Sequence, residues 1–327
     1  MSHPQAAAKA AIDVKANLSE KYKITNLGQE SQFLGMKTYR DENGSGISLG
    51  QKAYITTILK SFGMEHNHRV STPMDPNVQL HLAKNRGEKK LEDITDYQAV
   101  VGALMYAALA IRPDISYGVA AVSRSNSQPF TSHMTGAKRV LQYLKSTANF
   151  QLHFNGNGIG IAIGIAMGID IDNSLVGYSD SDWANDSTDR KSQEGHVFLV
   201  SNGAISAQSR KQSLISMLTL DVEFIACSEA SSKVKWLLQL QKDIHGKVFP
   251  LLPIHCDNQS ALTLITTGII KARTEQINVC SHNSRDLHER RIVNYYYAHR
   301  DKNVADILTK ALTKDNHTKF TKAMGSW

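Results

Sequence analysis

Val176-Gly177-Tyr178-Ser179-Asp180-Ser181-Asp182-Trp183-Ala184 begins as an apolar run and ends in two carboxylates one residue apart. Side chains on a strand repeat with a period of two, so Asp180 and Asp182 project from the same side. Two aligned carboxylates suit a divalent cation. Three more acidic residues follow at places from which a side chain can be aimed: Glu223 opening a long helical pattern, Asp257 ending a short strand, and Asp306 opening a final helix. Hard oxygen donors gathered from separate elements favour Mg²⁺ or Mn²⁺. Any one of these acids also reads as a helix cap or dipole partner. The weight lies in four of them in this order, with matching strands and helices between.

Six blocks carry a resemblance. They are Gly177 to Ala184, Asp189-Arg190-Lys191-Ser192, Gly203-Ala204-Ile205-Ser206, Val222-Glu223-Phe224, Cys256-Asp257-Asn258-Gln259-Ser260-Ala261 and Ala305-Asp306-Ile307-Leu308-Thr309-Lys310. In this order the segment resembles the RNase H domain of copia-class LTR retrotransposon polyproteins. The resemblance implies an α/β RNase H-like fold, a mixed five-stranded sheet with flanking helices. It also implies cleavage of RNA in RNA/DNA hybrids by an acidic tetrad of Asp180, Glu223, Asp257 and Asp306 holding Mg²⁺ or Mn²⁺, two ions in all. Asp182 is expected to support the tetrad from behind. His282 stands where the family often has a histidine and is carried as a supporting residue behind the tetrad, with a surface histidine among polar residues the favoured reading over a catalytic role.

The preceding part resembles the C-terminal part of the reverse transcriptase of the same polyproteins. Its matching residues are Phe33-Leu34-Gly35, Gln51 with Tyr54-Ile55, Thr72-Pro73-Met74, Val101 to Tyr106, Arg112-Pro113-Asp114-Ile115 and Leu141 to Lys145. The implied organisation is a mostly helical thumb or connection remnant over 1–152 and an RNase H-like domain over 174–327, separated by a Gly/Ile-rich insert or linker over 153–173 that departs from the family. No Asp-Asp dipeptide occurs in the chain, so the paired polymerase aspartates are absent and DNA synthesis is not expected.

Local patterns agree with that division. Asn43-Gly44 between apolar runs and Asn202-Gly203 between two more mark hairpins. Helical spacing is expected over Gln51 to Phe62, Asp96 to Leu109, Ile115 to Val122 and His133 to Leu144. The second half reads β-β-β-α-β-α-α-β-α, its long helix from Thr219 to about His245 and its closing helix from Val304 to Leu312. Trp183 and Trp236 are expected in the core.

The chain's 327 residues suffice for two cores. Its net charge of +7 is uneven: residues 1–150 carry 18 Lys+Arg against 12 Asp+Glu, the rest 19 against 18. The front half is therefore the better candidate to grip a phosphate backbone. Lys138, Arg139 and Lys145 on one helix, with Lys191, Arg210 and Lys211 on the second half, are the candidate contacts. A solvated basic hairpin explains Lys191, Arg210 and Lys211 equally well, and for the helix a solvated polar face is the more common outcome. Cys227, Cys256 and Cys280 form no CxxC pair, which points away from a disulfide framework or zinc knuckle and towards an intracellular compartment, cytoplasmic or nuclear. No apolar run is long enough to span a bilayer, so no membrane partner is expected.

The positions before Glu223, Leu218-Thr219-Leu220-Asp221, depart from the family, as do Ala207, Asn278 and Cys280-Ser281. Two readings therefore stand: a metal-dependent RNase H nuclease, or a catalytically silent retroelement relic or co-opted nucleic-acid- or protein-binding module that keeps the fold.

Overall fold

The computed structural model describes residues 12, 15–25, 32–41, 46–83, 87–155, 175–183, 189–213, 219–245, 251–267 and 277–327. The Gly/Ile tract lies almost wholly outside them.

The front half begins with a helical stretch at 15–21 and a short antiparallel ladder. Strands β1 (Gln32–Phe33), β2 (Met36–Arg40) and β3 (Gly46–Gly50) follow the chain, and β4 (Gln151–Asn155) returns to pair with β3. Helices α1 (Lys52–Ser61), α2 (Thr95–Ala110), α3 (Ser116–Ser123) and α4 (Thr131–Ser146) complete it. Each matches the expected helical run to within about two residues, and α1 stops where Gly63 turns the chain at φ +65°. Their apolar faces meet in one core around Ile55, Tyr97, Leu104, Val119, Leu141 and Leu144.

Inside this half Arg112 and Asp114 are fully buried and joined at 2.8 Å. Tyr143 Oη donates to Asp114 Oδ2 at 2.8 Å, and Arg112 also donates to Thr147. Buried charges survive only when so paired. His317, from near the end of the chain, contacts the carbonyl oxygen of Asp114 through Nε2 at 3.1 Å, binding the two halves together.

The second half is built on β5 (Val176–Asp182), β6 (Gln193–Val200), β7 (Gly203–Lys211), β8 (Leu252–Cys256) and β9 (Val293–Tyr297). The strand order is β7-β6-β5-β8-β9, with β5–β6 and β6–β7 antiparallel and β5–β8 and β8–β9 parallel. This is the mixed five-stranded sheet expected of an RNase H-like fold. Helices α5 (Thr219–His245), α6 (Gln259–Thr267) and α7 (Ile277–Glu289) flank it, and Phe224, Val234, Leu237, Phe198, Ile254 and Val293 form the core between. Large side chains buried this completely each contribute roughly 1.5–3 kcal/mol.

The other face of the sheet is shared with the front half. Leu152 and Ile111 pack with Tyr178, Val197, Leu308, Phe320 and Met324. Strand β4 thus straddles the expected boundary at 152/153. A Cβ on Gly203 would lie 2.4 Å from the Phe154 ring, so only glycine lets β4 approach this closely.

Two expectations need correction. The closing helix expected over Val304 to Leu312 is a 3₁₀ segment, Val304–Leu308, and the closing α-helix is α8 (Lys314–Ala323). All five residues of the 3₁₀ segment are buried and both its ends are pinned by side-chain hydrogen bonds, conditions a short tight turn meets better than a full helix. Trp183 and Trp236 are 47% and 54% exposed rather than core. Trp183 lies just past the end of β5, and Trp236 lies beside the buried stripe of α5, its ring 4.1 Å from Lys233 Nζ.

Candidate metal and nucleic-acid site

Asp180 sits on β5, the central strand, opposite Gly195 of β6. A Cβ on Gly195 would lie 2.6 Å from Leu308 Cβ, so glycine there lets the 3₁₀ segment press onto the sheet and bring Asp306 to Asp180. Asn303 fixes the approach: it is fully buried, Nδ2 donates to Ser179 O at 2.9 Å, and Oδ1 accepts from Ala305 N. Asp257 arrives at the end of β8, the parallel neighbour of β5, and Glu223 from near the N-terminus of α5.

The four acids converge. Carboxylate oxygens of Asp180, Asp257 and Asp306 lie within 4.8 Å of one another, and Glu223 joins Asp257 and the Cys256 thiol in a second such group. Burial, and then the charge of Asp180, push Asp306 up to about 7 and Glu223 well above the usual carboxylate range, and raise Asp257. Asp182 is lifted to about 6, chiefly by burial.

Cations have gathered at these acids. Lys310 Nζ lies 3.0 Å from Asp306 Oδ2 and 3.8 Å from Asp180 Oδ2, and Arg300 Nε lies 3.4 Å from Asp257 Oδ2. Burial works to lower the Lys310 pKa, but Asp180 and Asp306 outweigh it and hold the ammonium charged. Thr309 Oγ1 donates to Asp180 Oδ2. Thr309 and Lys310 thus touch the acids, and the acidic pattern alone did not single them out. The i,i+4 spacing of Asp306 and Lys310 was the available signal.

The donor set fits a hard divalent ion. It is all carboxylate around Asp180, and Asp306 Oδ1 is buried with no hydrogen-bond partner, an acceptor left unsatisfied on the side of the cluster.

The remaining expected residues fall in varied places. Asp182 and Lys211 line a cleft of about 610 Å³ together with Lys310, and Tyr117, Arg124 and His133 of the front half close its other wall. Lys211 pairs with Asp189 at 2.8 Å. Arg210 is held by Glu194 at 2.9 Å and Glu229 at 3.1 Å. Arg139 bonds Thr72 and lies 3.9 Å from Asp75, Lys145 donates to the carbonyl of Asn67, and Lys138 is exposed on α4. Lys191 is half-buried before β6. His282 falls in α7, but its side chain lies outside the described residues.

Comparison with known proteins places the chain. The family described as reverse transcriptase (RNA-dependent DNA polymerase) matches residues 5–76. The Retrovirus-related Pol polyprotein from transposon TNT 1-94 of Nicotiana tabacum is 32% identical over 309 residues, 92% of this chain and 22% of the relative. The corresponding polyprotein from transposon RE1 of Arabidopsis thaliana is 29% identical over 94% of this chain and 20% of its own length. Over about nine-tenths of its length the chain is homologous to copia-type retrotransposon Pol polyproteins. It spans about a fifth of the length of these relatives. Among solved structures, the N-terminal RNase H domain of a Mycobacterium tuberculosis protein superposes with a TM-score of 0.33 and 12% identity, over 46% of this chain and 98% of that one. A superposition of that quality adds nothing to the strand order, on which the fold assignment rests. Among the described residues no helix is long and apolar enough to cross a membrane.

Proposed function

We propose that this Pol segment is a divalent-metal-dependent RNase H-type endonuclease that cleaves the RNA strand of RNA/DNA hybrids. The observation that carries the reading is the convergence of Asp180, Glu223, Asp257 and Asp306 from four separate elements onto one point.

Asp180 would be the shared ligand, since its charge acts on each of the other three. Mg²⁺ or Mn²⁺, two ions when bound, would supply Lewis acidity at the scissile phosphate and lower the pKa of the attacking water. The chain's own residues do the rest. Gly195, Asn303 and the 3₁₀ segment fix Asp306 against Asp180, and Thr309 orients the Asp180 carboxylate. The cleft beyond Asp182 gives a phosphate backbone a path with Lys211 and Lys310 on one wall and the more basic front half on the other. Choice of RNA over DNA would come from 2′-hydroxyl contacts across a minor groove.

The second reading, a silent relic or binding module, is favoured by Lys310 and Arg300, which already place positive charge among the carboxylates. The experiment that separates the two compares purified folded chain on matched RNA/DNA, RNA/RNA and DNA/DNA duplexes with Mg²⁺. Cleavage confined to the RNA of the hybrid supports the nuclease. Binding that weakens steeply with salt, without cleavage of any duplex, supports the module.

A further inference from the structure

Arg124 follows the last residue of α3 and is exposed on the front-half wall of the cleft, yet it also reaches across to the second half, where its guanidinium donates to Gln193 Oε1. Gln193 is fully buried on β6, paired across the sheet with Asp182 of β5. Its Nε2 donates to Ser209 Oγ on β7 at 2.7 Å, and Ser209 Oγ donates to Leu308 O at 2.6 Å. Ser209 stands opposite Gly195, the glycine against which the 3₁₀ segment is pressed. Leu308 ends that segment, where backbone carbonyls run out of helical partners. The next residue is Thr309, whose hydroxyl donates to Asp180.

We propose that Arg124, Gln193 and Ser209 form a positioning relay that senses a nucleic-acid phosphate in the cleft and sets the segment bearing Asp306 and Thr309 against Asp180. The inference rests on the nuclease reading above and extends it to groups outside the acidic cluster. Its direction follows from the chemistry of the links. A serine hydroxyl has one proton, and here that proton is committed to Leu308 O, so Ser209 accepts from Gln193. The carboxamide is thereby oriented, with Nε2 towards Ser209 and Oε1 towards Arg124. All donors point one way, from the cleft to the 3₁₀ segment, and a buried chain of this kind polarises cooperatively. A buried glutamine is costly unless its amide is hydrogen-bonded, and here both amide atoms are used. An apolar residue would keep β6 in the sheet as well; the amide is what joins the front half to the acidic segment. A guanidinium carries five donors, so Arg124 can serve the carboxamide and a phosphate oxygen together.

Steady-state cleavage of an RNA/DNA hybrid by the full chain in saturating Mg²⁺, well below the Tm of each variant, tests the relay. Ser209→Ala should lower kcat about tenfold and leave KM within about twofold, because Ser209 does not meet the substrate. Ser209→Thr, which keeps the hydroxyl and suits a strand, should restore kcat to within about twofold of the parent. Arg124→Ala should lower kcat about tenfold and also reduce the slope of log KM against log salt by about one, the loss of a single phosphate contact. Combined with Ser209→Ala it should lower kcat no further than either change alone, since members of one relay are not additive. A Ser209→Ala variant with the parent's kcat, or losses that multiply in the double variant, overturns the inference and leaves the nuclease reading intact. Arg124 is exposed, so Arg124→Ala with the parent's kcat overturns it in the same way even where Ser209→Ala does not fold. A folded parent that cleaves nothing overturns both.

Discussion

Lys310 and Asp306, four residues apart on the segment that closes the sheet, are joined at 3.0 Å, and the same ammonium reaches to 3.8 Å from Asp180. A partly buried cation stands among acids that would otherwise repel one another. Lys310→Ala should lower the stability of the metal-free protein by about 1–2 kcal/mol and enlarge its stabilisation by Mg²⁺. Thermal melts with chelator and with Mg²⁺ check both; a variant whose Mg²⁺ response shrinks would contradict the role.

Asp306 supplies a pH dependence. Its folded pKa of about 7 lies above the unfolded value near 3.9. Its contribution is thus fully present below about pH 4 and lost as pH rises through about 7. Asp306→Asn should stabilise the metal-free protein by about 1–3 kcal/mol at pH 8, lose that advantage at pH 4 to 5, and respond weakly to Mg²⁺. Equal Tm differences between variant and parent at pH 5 and pH 8 would refute it.

His196 acts in the opposite direction. Burial holds its pKa down at about 4, and its Nε2 has no hydrogen-bond partner, so it is neutral in the fold. A depressed histidine pKa gives stability that is present above the unfolded value near 6.5 and is lost as pH falls through about 4. His196→Phe, beside Phe198, should gain about 1–3 kcal/mol on the parent between pH 7 and pH 4.5, read by denaturant unfolding at each pH.

Arg112 has no route to solvent. Truncation to alanine leaves Asp114 charged and fully buried, at a cost of about 3–5 kcal/mol. Urea unfolding measures it, and a loss under 1 kcal/mol would show that the pair is dispensable.

Much of this could be read in the chain beforehand. The tetrad acids stand at element ends, where period-two and helix-start patterns are strong, and the Asn202-Gly203 hairpin has a local signature. The pairing of β4 with β3, and of Leu152 with Ser326 near the end of the chain, has none, because such pairs join segments with no shared local pattern. Thr309 and Lys310 were visible only as part of a motif, since their engagement of Asp180 depends on a 3₁₀ turn where a helix was expected. The two tryptophans show that an aromatic residue beside a buried stripe can remain outside it.

The central claim is that the carboxylates around Asp180 form a working metal site. The most direct measurement is Mg²⁺-dependent cleavage of an end-labelled RNA/DNA hybrid by the full chain and by its Asp180→Asn variant, both shown to be folded. The account predicts cleavage by the parent and a loss of at least about a hundredfold in the variant. Equal cleavage by both, or none by a folded parent, would contradict it.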